Sequence, residues 1–348
     1  MTVPAELTAL VSAVLPGRPR RSVVPLGAGL DNTAYLVDDE LVVRVARTPD
    51  AAEVVRREAG LLALVATVSP LPIPRPCAVL PERGVFAYPL LPGRPLLRRP
   101  SRRPAAIGES LGRFLAALHA VPAARVAGLA EVDDAPPGEW LDAAAESFAE
   151  VAAAVPHGHR VALAEFLAAA PPAPPPADGL VLCHHDLGAE HLLADSRGTL
   201  TGVIDWTDAA LADPAHDLGL ILRDLGPAAL AATLRSHATA MAATSVAPPA
   251  VPPLAPPAVP PVAPPAVPPL APPAEMPAAF REPGSREPRA RSPLTSPATA
   301  FGDPAFRARV LFHARCALVE DLAHGIRTGD SAYSDKSLAA VPRLFATN

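Results

Sequence analysis

Residues 181–193 read Val181-Leu182-Cys183-His184-His185-Asp186-Leu187-Gly188-Ala189-Glu190-His191-Leu192-Leu193, or VLCHHDLGAEHLL: three histidines and two carboxylates between two apolar runs. Such a segment can be a metal nest, a catalytic loop or a crowded polar turn, and the rest of the chain has to choose. A second segment follows at once, GTLTGVIDWTDA over residues 198–209. In both, the apolar runs are short and end in polar residues, which predicts strand-loop pieces and not helices. A hairpin made from the two brings Asp186, His191 and Asp205 to one place.

Working toward the N-terminus, residues 20–92 predict a strand-rich unit with one helix. PLGAGLDNTAYLV and DDELVVRVAR form a hairpin around a Val-Asp-Asp-Glu turn, AAEVVRREAGLLALVATV has helical spacing, and PLPIPRPCAVL and GVFAYPLLPG read as further strands bounded by prolines. Before it, Leu7, Leu10, Val11, Val14 and Leu15 follow the spacing of a surface helix with no basic leader, so no secretory signal is expected. Beyond residue 100 the pattern turns helical. Ile107, Leu111, Phe114, Leu115 and Leu118 share one face, EWLDAAAESFAEVAAAV predicts another helix, and PAFRARVLFHARCALVEDLAHGIRT a long one. Residues 247–300 are different material, a near-repeat of Pro-Pro-Ala/Leu/Val units that cannot supply backbone donors for helix or sheet. This stretch is expected to be a disordered or polyproline II insertion; a docking segment for a proline-binding partner is the alternative.

Composition narrows the classes. The 348 residues suffice for two lobes with buried cores, and no uninterrupted apolar stretch is long enough to span a membrane. Three scattered cysteines, Cys77, Cys183 and Cys316, argue against a disulfide framework or thiolate zinc site and fit a reducing cytoplasm. A net charge of −5 without a basic stripe argues against nucleic acid. Lys336 is the only lysine, so arginine carries nearly all the cationic work.

Three groups of residues make chemical sense together. Gly27 and Gly29, in LGAGLDNTAY, let backbone approach a phosphate closely. Arg44 on the next strand and Glu58 on the following helix form a cation that can hold phosphates and a carboxylate that can fix it, as in protein-kinase-like enzymes. Asp186, with His191 and Asp205, offers a carboxylate to orient an attacking hydroxyl and ligands for magnesium. In the later DPAHD, polar and turn-like, Asp217 is expected to brace the catalytic loop. A zinc-hydrolase reading of His184, His185, Asp186 and His191 leaves Asp205 and the glycine loop unexplained.

HHDLGAEHLL, VIDW and DPAHD, in that order, resemble the aminoglycoside phosphotransferase (antibiotic kinase) family, whose catalytic loop reads His-Gly-Asp, four residues, then Asn. The resemblance extends to LGAGLDNTAYLV, REAGLLALV, FAYPLLPGRPL, LAALHAVP and the C-terminal RVLFHARCALVEDLAHGIRTGD, leaving out only the proline-rich insertion. It implies an α+β, two-lobed protein-kinase-like fold, with a small β-rich N-lobe over 1–92 and a larger, mostly helical C-lobe over 93–348. It also implies Asp186 as catalytic carboxylate, Asp205 and His191 as Mg2+ ligands, and Gly27, Gly29, Asn32, Arg44 and Glu58 around the nucleotide. Ala87, Tyr88 and Leu90 would offer backbone contacts to the edge of the base, and His184 and Asp217 would support the loop. Three positions depart from the pattern: His191 replaces an asparagine, Arg44 a lysine (with Arg47 a weaker substitute), and His185 a glycine.

The expected activity is ATP- or GTP-dependent transfer of a γ-phosphoryl group to a small-molecule hydroxyl, with antibiotic modification as one outcome. The acidic run Glu131, Asp133, Asp134, Glu139, Asp142, Glu146 and Glu150 would favour a cationic acceptor if it faces the site, and Trp140 with Phe148 would suit a macrolide-like one. The competing readings are a kinase-like nucleotide-binding protein with little or no catalysis, and a housekeeping kinase of choline, homoserine or sugar type.

Overall fold

The computed structural model describes residues 22–28, 32–176, 178–246 and 302–345. The expected N-terminal helix, Gly29 and the proline-rich stretch lie outside the described residues.

The N-lobe is a five-stranded antiparallel sheet in the order β1-β2-β3-β5-β4. Strands β1 (Val23–Ala28), β2 (Asn32–Val37) and β3 (Leu41–Ala46) form a meander: β2 and β3 are the expected hairpin, and PLGAGLDNTAYLV, read as one run, divides into β1 and β2. Asp38 and Asp39 turn it with φ of 53° and 58°, a left-handed region that short polar side chains tolerate. Helix α1 (Ala51–Val65) then covers the sheet. Its buried residues Val55, Glu58, Leu62 and Val65 recur at helical spacing, so Glu58 sits on the stripe that faces the sheet and needs a partner there. Strands β4 (Ala78–Leu80) and β5 (Val85–Pro89) complete the lobe. The strand expected from Pro70 onward begins only at Ala78, because four prolines between 70 and 76 remove every second backbone donor.

After β6 (Arg94–Pro95) the C-lobe is built on helices: α2 (Pro104–His119), the short α3 (Ala123–Val126), α4 (Pro137–Val151) and α5 (His157–Leu167), with β7 (Glu131–Val132) between α3 and α4. Strands β8 (Val181–Cys183), β9 (Leu192–Ala194), β10 (Leu200–Val203) and β11 (Ala210–Ala212) form two small sheets, β10-β9-β6 and β7-β11-β8. Helix α6 (Ala215–Val246) kinks at Gly226 (φ 80°, ψ −179°), just before Pro227. Helices α7 (Pro304–Thr328) and α8 (Ser331–Leu344) end the described chain. The sequence reading missed α5, α6 and α8, and it took the first turn of α6 for a polar turn.

One core joins α2, the segments around residues 182–206 and α6 around Phe114, Leu118, Trp206 and Ile221; a second lies among α4, α5, α7 and α8 around Leu163, Phe312 and Leu322. Phe148 belongs to this second core. Helices α2 and α6 meet at backbone distance: a Cβ on Gly108 would collide with the carbonyl of Ala229, and one on Gly112 with that of Thr233.

Candidate active site

Helix α6 sets the catalytic loop. Asp217 and Asp224 lie seven residues apart, two turns along one helical face. The fully buried Asp217 accepts the backbone N–H of His184 (2.9 Å) and of His185 (2.9 Å), and Asp224 accepts that of Ala189 (2.7 Å). Two carboxylates from one helix thus hold both shoulders of the 184–191 loop. Burial raises the Asp217 pKa to about 6 against the pull of these N–H groups. His184 Nε2 donates to the Ile204 carbonyl (3.1 Å) and its Nδ1 accepts from the Asp186 N–H (3.3 Å). Burial lowers the His184 pKa to about 4, which keeps the ring neutral and tied to the loop.

From α1 to this loop runs a line of alternating charge. Arg44 Nη1 donates to Glu58 Oε1 at 2.5 Å, and its Nη2 donates to Asp205 Oδ1 (2.9 Å) and Thr207 Oγ1 (2.8 Å). His191 Nε2 stands 3.7 Å from Asp205 Oδ2, and His191 Nδ1 stands 3.2 Å from Asp186 Oδ2 and 2.9 Å from the Asp186 carbonyl oxygen. Burial opposes charge on His191, but Asp186 and then Asp205 outweigh it and raise the pKa to about 10. Burial also works against an ionised Asp186, and His191 more than compensates, holding the carboxyl at about 2. Burial pushes Glu58 up to about 7 despite Arg44. Asp205 and His185 share a left-handed φ, 64° and 68°; apart from the β2–β3 turn they are the only such non-glycine residues described.

Two cavities meet at this line. The one between the lobes, about 610 Å³, is lined by Leu26, Gly27, Asn32, Val42, Tyr88, Leu90, Ile204, Asp205 and His191. The other, about 680 Å³, is lined by Asp186, His185, Asp133, Trp140, Thr207 and Glu320. His191 and Asp205 therefore open on one side and Asp186 on the other.

The expected site residues can now be placed. Gly27, Asn32, Tyr88, Leu90, His191 and Asp205 line the interlobe cavity, and Arg44 and Glu58 sit buried behind Asp205. The side chain of Ala87 does not reach it, because alternate residues of a strand face opposite ways and Ala87 is buried with Val43 and Val85. Of the acidic run, Glu131 and Asp133 line the second cavity; Glu131 pairs with Arg57, and Glu150 with Arg327 on the surface. Trp140 lines it as well, whereas Phe148 is core. His119 is buried against His237, with Nδ1 3.0 Å from its Nε2.

Several residues escaped the sequence reading. Thr207 joins Arg44 and Asp205; Glu320 and Asp321 of α7 line the second cavity; and Lys336 of α8 pairs with Glu190 (2.8 Å), Asp224 (3.1 Å) and Asp321 (2.9 Å) behind the loop. Thr207 stands two residues after Asp205, a signal that was there to use; the others come from elements 100 or more residues away.

The donor set fits a divalent cation. Among the described residues, side-chain atoms of Asp186, Glu190 and His191 gather within 4.8 Å, but Arg223 and Lys336 already occupy Glu190. His191 and Asp205 are the better pair. The Asp186 carbonyl can only accept, so His191 Nδ1 carries a proton and Nε2 is the atom that can turn a lone pair toward Asp205. An ion there would replace the second imidazole proton. His184 and His185 point elsewhere, to Ile204 and Asp133, which removes the zinc reading.

Comparison with known proteins gives a consistent picture. The chain is similar to the GDP and kanamycin complex of APH(2")-IIia, with a TM-score of 0.60, 18% identity and 98% of each chain covered. It is similar to macrolide 2'-phosphotransferase type I, with a TM-score of 0.55, 21% identity and 100% of each chain covered. Macrolide 2'-phosphotransferase MphH from Brachybacterium faecium matches with a TM-score of 0.52 and 24% identity, over 97% of this chain and 98% of that one. At these identities the likeness establishes the fold, which is protein-kinase-like. A stretch of 39 residues is 51% identical to the uncharacterized protein YcbJ of Bacillus subtilis (strain 168), spanning 11% of this chain and 13% of that protein. The model of the phosphotransferase enzyme family matches residues 22–250, well over half of the sequence, and the chain belongs to that family.

Proposed function

We propose that the chain transfers the γ-phosphoryl group of ATP or GTP to a hydroxyl of a small molecule, with Mg2+ held by His191 and Asp205. The observation that carries this reading is the junction itself: Asp186 lies 3.2 Å from His191, yet the two line different cavities, one on each side of the transfer line. The interlobe cavity has apolar walls at Leu26, Val42, Tyr88 and Ile204 for a base and the Gly27 backbone for phosphates. Bound magnesium would neutralise charge on the phosphates. Arg44, buried behind Asp205 with its fork engaged by Glu58, Asp205 and Thr207, adds a positive charge behind the cavity and supports the site through Asp205.

Asp186 acts by position. A carboxylate held at about 2 accepts protons poorly at neutral pH, so its contribution is to orient the acceptor hydroxyl toward the phosphorus. Asp133, Glu320 and Asp186 give the acceptor cavity an acidic wall, which supports a cationic or polyhydroxylated acceptor. The binding-only alternative draws on the Arg44–Asp205 contact, which occupies an oxygen of the proposed metal ligand.

Nucleotide consumption, coupled to a screen of aminoglycosides, macrolides and small metabolite alcohols, tests the reading. Replacing Asp186 with Ala is expected to abolish transfer and leave nucleotide affinity nearly intact. An unchanged rate would overturn the assignment, and wild-type nucleotide binding without turnover on any acceptor would favour the alternative.

A further inference from the structure

His185 stands where a glycine is the ordinary residue of the catalytic loop, and the structure shows why that position is demanding. Its φ of 68° is one that glycine adopts freely and that a side chain adopts only at some cost. The loop nevertheless carries an imidazole here, and three neighbours fix it. Nε2 meets Asp133 Oδ2 at 2.9 Å, the ring stacks on His216 with centroids 4.2 Å apart and planes 23° apart, and the Trp140 indole meets it edge-on at 5.7 Å. Asp133 is itself anchored, since its Oδ1 accepts the Ala135 N–H at 3.1 Å. His185, Asp133, Trp140 and His216 all line the cavity into which Asp186 opens. A ring held on three sides beside the catalytic carboxylate fills space that a glycine leaves to the acceptor.

We propose that His185 is a specificity-determining residue whose ring, locked by Asp133, His216 and Trp140, is a rigid wall of the acceptor cleft that admits a hydroxyl on a compact ring and turns away one flanked by bulk. This rests on the phosphotransferase reading for the identity of the cleft, and not for its test. Because the ring is packed and hydrogen-bonded, it cannot swing aside as a solvated side chain would. Backbone strain kept at such a position signals a role there.

The test compares wild type with His185→Gly, which opens the wall and suits the backbone, and with Asp133→Asn, which weakens the anchor while leaving residue 185 intact. Kanamycin serves as the compact acceptor and erythromycin as the bulky one, each assayed for turnover with magnesium and either nucleotide. Acceptor binding is followed in parallel by tryptophan fluorescence, with Trp140 as the reporter, and thermal unfolding checks the fold of each variant. The erythromycin-to-kanamycin ratio, in kcat/KM or in affinity, is expected to rise at least about tenfold in His185→Gly and less in Asp133→Asn, the scale that steric contacts in a pocket supply. Nucleotide KM stays within about twofold. A merely structural role lowers both acceptors alike and leaves the ratio unchanged, which overturns the inference, as does failure of every variant to bind either probe. Binding with an altered ratio but no turnover in the wild type supports the inference and counts against the phosphotransferase reading alone.

Discussion

Asp217 gives the sharpest separation between folding and function. Replacing it with Ala removes the acceptors of two buried N–H groups, those of His184 and His185. Each orphaned donor costs about 1–3 kcal/mol, so the pair costs about 2–6 kcal/mol. The wild type, however, bears the expense of a fully buried carboxylate, whose pKa burial has moved from 3.8 to about 6. Near pH 7.5 that gap corresponds to about 3 kcal/mol against folding, which Ala relieves. The net change then runs from a gain of about 1 kcal/mol to a loss of about 3 kcal/mol, read as a shift in the urea midpoint at constant slope. Activity should fall much further, because the two released peptides lead directly into Asp186. Displacing an orienting group by about 1 Å costs on the order of a hundredfold. Steady-state kinetics is expected to show kcat down by about that factor, with nucleotide affinity nearly unchanged because the walls of the interlobe cavity at Val42 and Tyr88 lie on other strands. Full kcat in the folded variant, or a rate loss no larger than the unfolded fraction, would refute the claim that Asp217 positions the loop.

Other perturbations test different parts of the chain. Arg44→Ala leaves Glu58 buried without its cation; because burial already holds Glu58 at about 7, it takes up a proton, and the loss in urea unfolding is expected to be about 1–3 kcal/mol and larger at pH 8 than at pH 6, while a loss independent of pH would refute this. Gly108→Ala and Gly112→Ala force α2 from α6 and are expected to destabilise by about 1–3 kcal/mol or more, while activity per folded molecule is unchanged. Acid should unfold the protein through its buried neutral histidines. Burial lowers His313 and His237 from 6.5 to about 4, and His119 and His216 further. At these rings the unfolded chain binds more protons between pH 6.5 and 4, a loss of about 2 kcal/mol per histidine at pH 5, while Glu58 and Asp217, raised by burial to about 7 and about 6, bind protons in the fold and offset part of it. A drop in urea midpoint from pH 7.5 to pH 5 that is no smaller in His313→Phe than in the wild type would show that this ring is not buried neutral.

What the sequence revealed, and what it hid, follows from how far each interaction reaches along the chain. Asp186, His191 and Asp205 were legible because they lie on adjacent strand-loop pieces, where spacing alone brings them together. Glu58 was legible as the partner of Arg44 for the same reason, one strand and one helix apart. Strand parity divides the 87–90 segment: the Tyr88 side chain faces the cavity and that of Ala87 faces away, so only the Ala87 backbone is left to serve the expected contact. Helix α6 was missed because it is buried on several sides, so its apolar residues show no stripe, and because DPAHD has the composition of a turn. The acceptor wall was the hardest to see. His185 and Asp133 are 52 residues apart, and Glu190 and Lys336 are 146 apart. Only the fold brings such pairs together.

Two of the three substitutions that set this chain apart from the usual kinase pattern, Arg44 and His191, are best understood together. Glu58, Arg44, Asp205, His191 and Asp186 alternate in sign along the line, with successive separations of 2.5, 2.9, 3.7 and 3.2 Å. A neutral amide at position 191 would leave Asp205 and Asp186 facing each other across a cleft of low polarity, with only the arginine on one flank. A lysine at position 44 would put one ammonium where the guanidinium now divides its contacts between Glu58 on one side and Asp205 with Thr207 on the other. The arginine fork and the imidazole therefore do the same kind of work: each separates a pair of carboxylates that the fold holds close together. The cost is competition, since His191 must give up a proton and Arg44 must share Asp205 before a metal-bound nucleotide can be held.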